Sequence, residues 1–296
     1  MRVFMTGATG FVGSAVVQEL LASRHQVLGL ARNDNAADAL RAAGAEVHPG
    51  DLEDVGSLAS GAKAADAVIH AGFIHDFTRF AECCAIEGRA LAAMGAALAG
   101  TDKPFVITSG AALGVNGDVA LESYVPSPAT LPHPRVITET TAARLVAEGG
   151  KVSVLRLAIS THGAGDHGFV PMLIAQARKT GVSAYVGDGS NVWHAVHRKD
   201  AARLYRMVLE DGPGGERYHA VGEQRVPFRA IAQAIGAGLG LPVVSVAPGE
   251  AAAQFGFLGS FAATNLPASN DWTRAATGWE PREAGLLDDI ATAGYF

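Results

Sequence analysis

The chain has 296 residues, of which 49% are hydrophobic and 18% charged, so it can bury a large core and is neither disordered nor fibrous. Its 23 basic and 29 acidic residues give a net charge of −6, which argues against nucleic acid as a partner because no positive excess is available to bind phosphates. We find no basic leader and no apolar stretch of roughly 20 residues, and therefore predict a cytoplasmic protein without a membrane partner. The two cysteines, Cys83 and Cys84, are adjacent, which does not suit a metal site, and none is predicted.

Short apolar runs alternate with helical patterns through the first half of the chain. The predicted strands and the helices that follow them are 3–6 with 11–23, 26–30 with 35–43, 45–48 with 53–60, 67–70 with 76–99, and 105–108 with 136–148, before a last strand at 152–157. A loop rich in Pro and Gly is predicted over 110–134. This alternation is typical of βαβ units and predicts an α/β fold with a Rossmann-type, doubly wound parallel sheet.

The pattern loosens beyond residue 159. Helices are predicted near 169–180, 198–211 and 228–239, strands at 216–221 and 243–246, and short helical segments in the tail. We therefore predict a dinucleotide-binding domain over 1–158, with a return segment near 192–220, and a smaller lobe, mainly for substrate binding, over 159–296.

A glycine-rich loop joins the first predicted strand to the first predicted helix. It reads G-x-x-G-x-x-G, with glycines at positions 7, 10 and 13. Glycines at such a junction let backbone N–H groups and the positive end of the helix approach a pyrophosphate. The residues predicted to bind the dinucleotide here are Gly7, Thr9, Gly10, Phe11, Val12 and Gly13.

The end of the second predicted strand indicates which dinucleotide is bound. Arg32 stands 19 residues after Gly13, where an acidic residue would bind the ribose hydroxyls of NAD. A guanidinium there favours a 2′-phosphate, so NADP is the predicted cofactor, with NAD possible. Asp34 lies one or two positions late and is interpreted as the cap of the following helix.

Several motifs, in order and across essentially the whole chain, resemble the extended short-chain dehydrogenase/reductase superfamily, which includes NAD(P)-dependent epimerases and dehydratases. Besides the glycine loop, they are Gly50-Asp51-Leu52, His70-Ala71-Gly72, Thr108-Ser109-Gly110, Val154-Leu155-Arg156-Leu157 and the segment from Val196 to Arg203. The resemblance implies that Asp51 and Leu52 contact the adenine. It also implies further cofactor contacts from Ala71, Gly72, Thr108, Leu157, Ala158 and Ile159.

The superfamily's usual Tyr-x-x-x-Lys active site is absent from this sequence, since no tyrosine has a lysine four residues later. In that pair the lysine lowers the pKa of the tyrosine, whose phenolate moves a proton during hydride transfer. Alignment by eye places Arg135 and Glu139 at the two positions, within a residue or two. The resemblance is therefore to atypical members of the superfamily.

Three residues are predicted to replace the missing pair. Ser109 matches the family's hydroxyl position and could bond a substrate oxygen, although it could instead satisfy the backbone of a turn. Arg135 could stabilise an oxyanion or bind a substrate anion. Tyr124 could donate a proton. The residues predicted to contact substrate are Phe73, His75, His162 and His194.

The leading hypothesis is an NADP(H)-dependent oxidoreductase that transfers hydride to or from a carbonyl or carbinol carbon of a small molecule, with a non-standard acid/base site. One alternative is an epimerase or dehydratase that acts on a sugar-like substrate and retains NAD(P). The other is a non-catalytic NADP-binding sensor. The helix at 76–99 matches one often used for dimer contacts in the family, so a homodimer is possible, with core packing as an equal alternative.

Overall fold

The computed structural model describes residues 1–113 and 118–296, so part of the predicted 110–134 loop, residues 114–117, lies outside the described residues. The strands are β1 (Arg2–Thr6), β2 (Gln26–Ala31), β3 (Glu46–Pro49), β4 (Ala67–His70), β5 (Phe105–Gly110), β6 (Val152–Leu157), β7 (Ser160–His162), β8 (Ser183–Val186), β9 (Val192–His197), β10 (Arg217–Ala220), β11 (Glu223–Pro227) and β12 (Val243–Val246). The helices are α1 (Phe11–Ala22), α2 (Asp34–Ala43), α3 (Val55–Lys63), α4 (Phe80–Leu98), α5 (Val136–Ala147), α6 (Phe169–Thr180), α7 (Arg198–Asp211), α8 (Phe228–Leu239), α9 (Ala251–Phe255), α10 (Gly259–Ala263), α11 (Asp271–Thr277) and α12 (Leu286–Thr292). Short 3₁₀ turns cover Phe77–Arg79, Pro248–Glu250 and Gly256–Leu258.

The large sheet is parallel throughout, with the strand order β3-β2-β1-β4-β5-β6-β10. Val3 of the central strand β1 pairs with Val27 of β2 on one side and Ala67 of β4 on the other. The chain therefore reverses its direction of travel across the sheet at β1, and such a switch point opens a crevice at the carboxyl ends of the strands. The predicted fold class is confirmed.

Helices cover both faces of the large sheet. Val3 and Met5 face a core built with α1, α2 and α7, whereas Phe4, between them, faces a core built with α3, α4 and α5. Successive strand residues point to opposite faces, so a strand that is covered on both sides must be apolar throughout. This explains why the central predicted strands of the first half are largely apolar, whereas the edge strand β3 is partly exposed and includes Glu46 and His48.

The smaller lobe contains the sheets β7-β9-β11 and β8-β12, together with α6, α8 and the C-terminal helices. Fully buried Trp193 on β9 packs edge-on against Phe228 on α8, with ring centroids 4.9 Å apart. Between these elements the chain returns to the large sheet, since α7 packs on α1 and β10 pairs with β6. Within residues 1–113 and 118–296, no helix is long and apolar enough to cross a membrane.

Two predicted helix starts differ from the structure because side chains cap the helices elsewhere. Asn33, not Asp34, caps α2, and its side-chain oxygen accepts a hydrogen bond from the backbone N–H of Ala36 at 3.0 Å. The helix predicted from residue 76 begins at Phe80. The carboxylate of Asp76 instead accepts from the N–H of Thr78 at 3.0 Å and caps a separate 3₁₀ turn.

Candidate active site at the carboxyl edge of the large sheet

The backbone of the glycine loop after β1 is closely packed, and two of its glycines have no room for a side chain. Gly7 has a φ of +66°, and a Cβ there would lie 2.6 Å from the carbonyl carbon of Ala71. A Cβ on Gly13 would lie 1.9 Å from the carbonyl oxygen of Gly7. The backbone of β1, the loop and the segment after β4 therefore lie against one another, and only glycine permits this approach.

The first turn of α1 presents donors to the same place. Ser14 donates its N–H to the Gly10 carbonyl at 2.8 Å, so the N–H groups of Phe11, Val12 and Gly13 precede the first bond of the helix. Gly10 supplies no side-chain cap. These N–H groups, with the positive end of the helix, fit a bound diphosphate.

Arg32 lies directly after β2, at the same edge of the sheet. Its side chain is exposed and makes no hydrogen bond or ion pair within the part of the chain that the structure describes. The neighbouring polar side chain, Asn33, is occupied as the cap of α2. The guanidinium is therefore available to an anion.

The residues predicted to contact the adenine follow β3 and lie close to the glycine loop. Asp51 turns one carboxylate oxygen back to the N–H of Glu53 at 2.9 Å. Leu52 reaches the segment after β4, since a Cβ on Gly72 would lie 3.2 Å from its side chain. The structure thus brings these two positions to the edge of the sheet that carries Gly7.

Buried polar bonds join the ends of β1 and β4. The hydroxyl of Thr6 hydrogen-bonds His70 Nδ1 at 2.8 Å and accepts the N–H of Gly72 at 3.1 Å. Burial, followed by the charge of Arg135, lowers the pKa of His70 to about 3, so this imidazole is neutral at pH 7. These bonds fix the backbone that lies against the glycine loop.

The end of β5 places its two predicted hydroxyls on opposite sides of the sheet. Thr108 bonds the phenol of Tyr205 on α7 at 2.6 Å. Ser109 is 3% exposed, and its hydroxyl approaches Glu139 without the geometry of a regular hydrogen bond. Gly110 is open, because a Cβ there would meet no described atom within 4 Å. Sequence reasoning did not single out Gly110, although two-residue alternation places it on the face opposite Ser109.

Arg135 immediately precedes α5 and is held from two sides. It forms an ion pair with the buried carboxylate of Glu87 on α4, and its guanidinium lies 4.0 Å from the ring centroid of Phe73. Burial lowers the pKa of Arg135 to about 10, which leaves the group positive at pH 7. Arg135 is thus fixed beside the segment that follows β4, where it can stabilise negative charge.

Glu87 is a site residue that sequence reasoning missed. It accepts the hydroxyl of Thr138 at 2.9 Å, but its second oxygen and His70 Nε2, 3.9 Å apart, have no hydrogen-bond partner among the described residues. Glu87 lies on the buried face of α4, four residues after Cys83 and four before Leu91. An acidic residue at that helical spacing within an apolar stripe is the signal that could have identified it.

Glu139, aligned with the family's lysine, lies in a buried network of opposite charge. Arg156 donates to its two oxygens at 2.8 and 3.1 Å, and Arg217 donates at 3.1 Å. Burial would raise the pKa of this carboxyl, but hydrogen bonds and charge from Arg156 outweigh burial and hold the pKa below its usual value. Glu139 is therefore a permanent anion at neutral pH and connects α5 to the sheet.

Tyr124 lies near this network through its backbone. Its carbonyl accepts a hydrogen bond from Arg156 at 2.7 Å. Its half-buried phenol makes no hydrogen bond with any residue that the structure describes, so it is available for proton transfer.

The predicted histidines occupy three different environments. His75 lies at the surface after β4, where desolvation and then the charge of Arg135 lower its pKa. His162 is buried in the smaller lobe, with Nδ1 2.6 Å from the carboxylate of Asp289. His194 is fully buried and accepts the N–H of Ile159 at 3.0 Å, which orients the segment after β6. Desolvation lowers the pKa of His194 to about 3.

The predicted segment after β6 also lies at the edge of the sheet. The carbonyl of Leu157 accepts the N–H of Ala111 at 2.9 Å, and Ala158 donates to the carbonyl of Ala220 at 3.1 Å. Phe73, with His75 and Arg135 in contact with its ring, directly follows Gly72, which lies against the glycine loop. His162 lies within the smaller lobe.

Comparison with known proteins agrees with this geometry. The chain is 45% identical over 298 residues to an uncharacterized protein of Schizosaccharomyces pombe, with both chains fully covered. It is 29% identical to a 2-alkyl-3-oxoalkanoate reductase of Stenotrophomonas maltophilia, covering 83% of this chain and 78% of the relative. A dTDP-glucose 4,6-dehydratase from Streptomyces venezuelae, solved with NAD bound, has the same fold, with a TM-score of 0.76 at 20% identity and coverage of 100% and 96%. Residues 3–221 match the NAD dependent epimerase/dehydratase family, and the chain belongs to this family of pyridine-nucleotide-dependent proteins.

Proposed function

We propose that this protein is an NADP(H)-dependent oxidoreductase that transfers hydride to or from a carbonyl or carbinol carbon of a small molecule. The observation that carries the cofactor preference is Arg32, an exposed guanidinium directly after β2 to which the described residues offer no ion pair or hydrogen bond. An adenosine 2′-phosphate offers this group a doubly hydrogen-bonded anion, which NAD lacks. The reductase from Stenotrophomonas maltophilia supports net reduction as the class of reaction.

The proposed cofactor contacts are the glycine loop, Arg32, Asp51, Leu52 and the segments after β4 and β6. When bound, NADPH supplies a hydride from C4 of its nicotinamide. The N–H groups of the glycine loop would hold its diphosphate, next to the close approach of Gly7 to Ala71.

Carbonyl reduction also requires charge stabilisation and a proton at the substrate oxygen. Arg135 can stabilise the developing negative charge, since it stays protonated at neutral pH. Tyr124 is the proposed proton donor. His75, whose pKa is lowered by desolvation, is a proposed substrate contact. Ser109 remains a proposed contact, and it would have to turn away from Glu139 to reach a substrate.

Binding of the two reduced dinucleotides tests the cofactor proposal. Arg32→Ala should weaken NADPH binding by roughly tenfold or more, because a charged hydrogen bond contributes about 1.5–3 kcal/mol, and should change NADH binding much less. Fluorescence titration gives both dissociation constants, and Arg41→Ala, on the exposed face of α2, is the matched control. An equal loss for NADPH and NADH would refute the assignment.

The state of the purified protein separates this function from the alternatives. An oxidoreductase exchanges its cofactor and consumes NADPH stoichiometrically with a carbonyl substrate. A tightly retained dinucleotide without net consumption would instead indicate an epimerase or dehydratase, and reversible binding without turnover a sensor. We also propose that the protein is a cytoplasmic homodimer. Light scattering would measure the mass of the assembly.

A further inference from the structure

Aromatic rings from both lobes form a continuous group beside the candidate active site. We name as the aromatic arch the residues Phe73, His75, Phe77, Phe80, His133 and Phe257. Phe73 contacts His75 and Phe80 edge-on, with centroids 5.1 and 6.0 Å apart. Phe77 stacks on Phe80 at 6.0 Å, and His133 meets Phe80 at 5.5 Å.

The inner end of the aromatic arch adjoins the cofactor loop. Phe73 directly follows Gly72, whose backbone nitrogen would lie 2.6 Å from a Cβ on Gly7. The guanidinium of Arg135 lies over the Phe73 ring. A group held against this end therefore lies beside the proposed cofactor site.

The outer end of the aromatic arch spans the two lobes. Phe77, after β4, and Phe257, in the turn before α10, have ring centroids 4.7 Å apart. They are 40% and 49% exposed. Phe257 continues into the lobe through Phe169 and Phe261, at 6.4 and 5.7 Å. Two large exposed rings in contact across a boundary between lobes provide an apolar surface that a ligand can cover.

The two arginines at the aromatic arch are ion-paired, and the Asp76 carboxylate accepts a hydrogen bond from Thr78. Arg135 is paired with Glu87, and Arg79 with Glu82. Desolvation lowers the pKa of His75 and of His133, so both rings are neutral at pH 7. Arg198, for which the described residues supply no ion pair, lies over Phe11 of the cofactor loop and outside the aromatic arch. Among the residues that the structure describes, no unpaired cation lies on these rings to bind the diphosphate of a nucleoside diphosphate sugar.

We propose that the aromatic arch binds the apolar part of the substrate, so that the protein acts on alkyl or aryl ketones and aldehydes rather than on nucleoside diphosphate sugars. This inference rests on the proposed oxidoreductase function and adds its substrate class. Offset and edge-on packing against phenyl rings favours apolar groups, and each buried methylene strengthens binding.

Calorimetric titration with methyl ketones from acetone to 2-octanone, with acetophenone and with UDP-glucose tests the proposal. The titrations are made on the NADP⁺-loaded and on the cofactor-free protein, so that the result does not depend on turnover. We expect the dissociation constant to fall about fourfold for each added methylene. UDP-glucose should bind more weakly than 2-octanone.

Phe77→Ala and Phe257→Ala should each weaken binding of 2-octanone by roughly tenfold while leaving acetone nearly unchanged, since only the longer chain reaches the outer rings. Phe296→Ala is the matched control, because Phe296 is 43% exposed and packs at Gly238 on α8. Affinity that is independent of chain length, tighter binding of UDP-glucose, or equal effects of the three variants would each overturn the inference.

NADPH oxidation by the same ketones separates this inference from the function on which it rests. Length-dependent binding without NADPH oxidation would remove the oxidoreductase proposal and keep the apolar site. NADPH oxidation with affinities insensitive to chain length would keep the oxidoreductase proposal and remove the apolar site.

Discussion

Replacing Glu139 by glutamine should destabilise the protein strongly, although the two side chains have nearly the same shape. Glu139 is fully buried and is the shared partner of Arg156, itself 3% exposed, and Arg217. Glutamine can still accept a hydrogen bond, but it cannot compensate two positive charges. The variant therefore leaves a buried guanidinium uncompensated.

The expected loss in the free energy of unfolding is about 3–5 kcal/mol, the usual cost of breaking a buried ion pair by removing one partner. For a chain of this size, that corresponds to a fall in Tm on the order of 10 °C. Glu148→Gln is the matched control, since its pair with Arg144 is 54% and 51% exposed at the side chains. Exposed pairs of this type contribute about 0.3–0.5 kcal/mol.

Urea unfolding at pH 7, followed by circular dichroism, measures both free energies. The pKa of Glu139 is lowered by folding, so its contribution is present above the ordinary carboxyl pKa of 4.5 and is lost as the pH falls through the folded-state value. The difference between the native protein and Glu139→Gln should therefore be constant above that pH and shrink below it. A Glu139→Gln loss within 1 kcal/mol of the Glu148→Gln loss would refute the reasoning.

Two further outcomes are expected. Gly13→Ala should abolish tight NADPH binding, measured by fluorescence titration, because its Cβ would lie 1.9 Å from the Gly7 carbonyl oxygen. Gly249→Ala is the control and should leave binding unchanged, since a Cβ there would meet no described atom within 4 Å. Unchanged affinity in Gly13→Ala would contradict the close approach. Acid should destabilise the protein below pH 6.5, since His70 and His194 stay neutral to about pH 3 when folded but take up protons near pH 6.5 when unfolded. Each histidine contributes up to about 1.4 kcal/mol per pH unit to the slope of the free energy of unfolding against pH. His194→Gln should remove the contribution of His194, measured from unfolding curves recorded between pH 6 and 5. An unchanged slope would exclude this role.

The candidate site could be predicted from the sequence only in part. The cofactor-binding roles of the glycine loop and of Arg32 are predicted from local sequence, since they depend only on the position of these residues directly after β1 and β2. The environment of Ser109 was not predictable, because the motif Thr108-Ser109-Gly110 does not say which of three successive residues faces the open edge. The structure turns Ser109 toward Glu139 and leaves Gly110 open.

The sequence by itself determined the parallel sheet and the cofactor loop, because strand alternation, helical periodicity and glycine turns are encoded by neighbouring residues. Only the tertiary structure decided that Arg135 forms an ion pair with Glu87, 48 positions away, and that Phe77 contacts Phe257 across the lobes. Such pairs depend on how helices and lobes pack against one another. Periodicity within one element shows which face is buried, but it carries no information on which distant side chain covers that face.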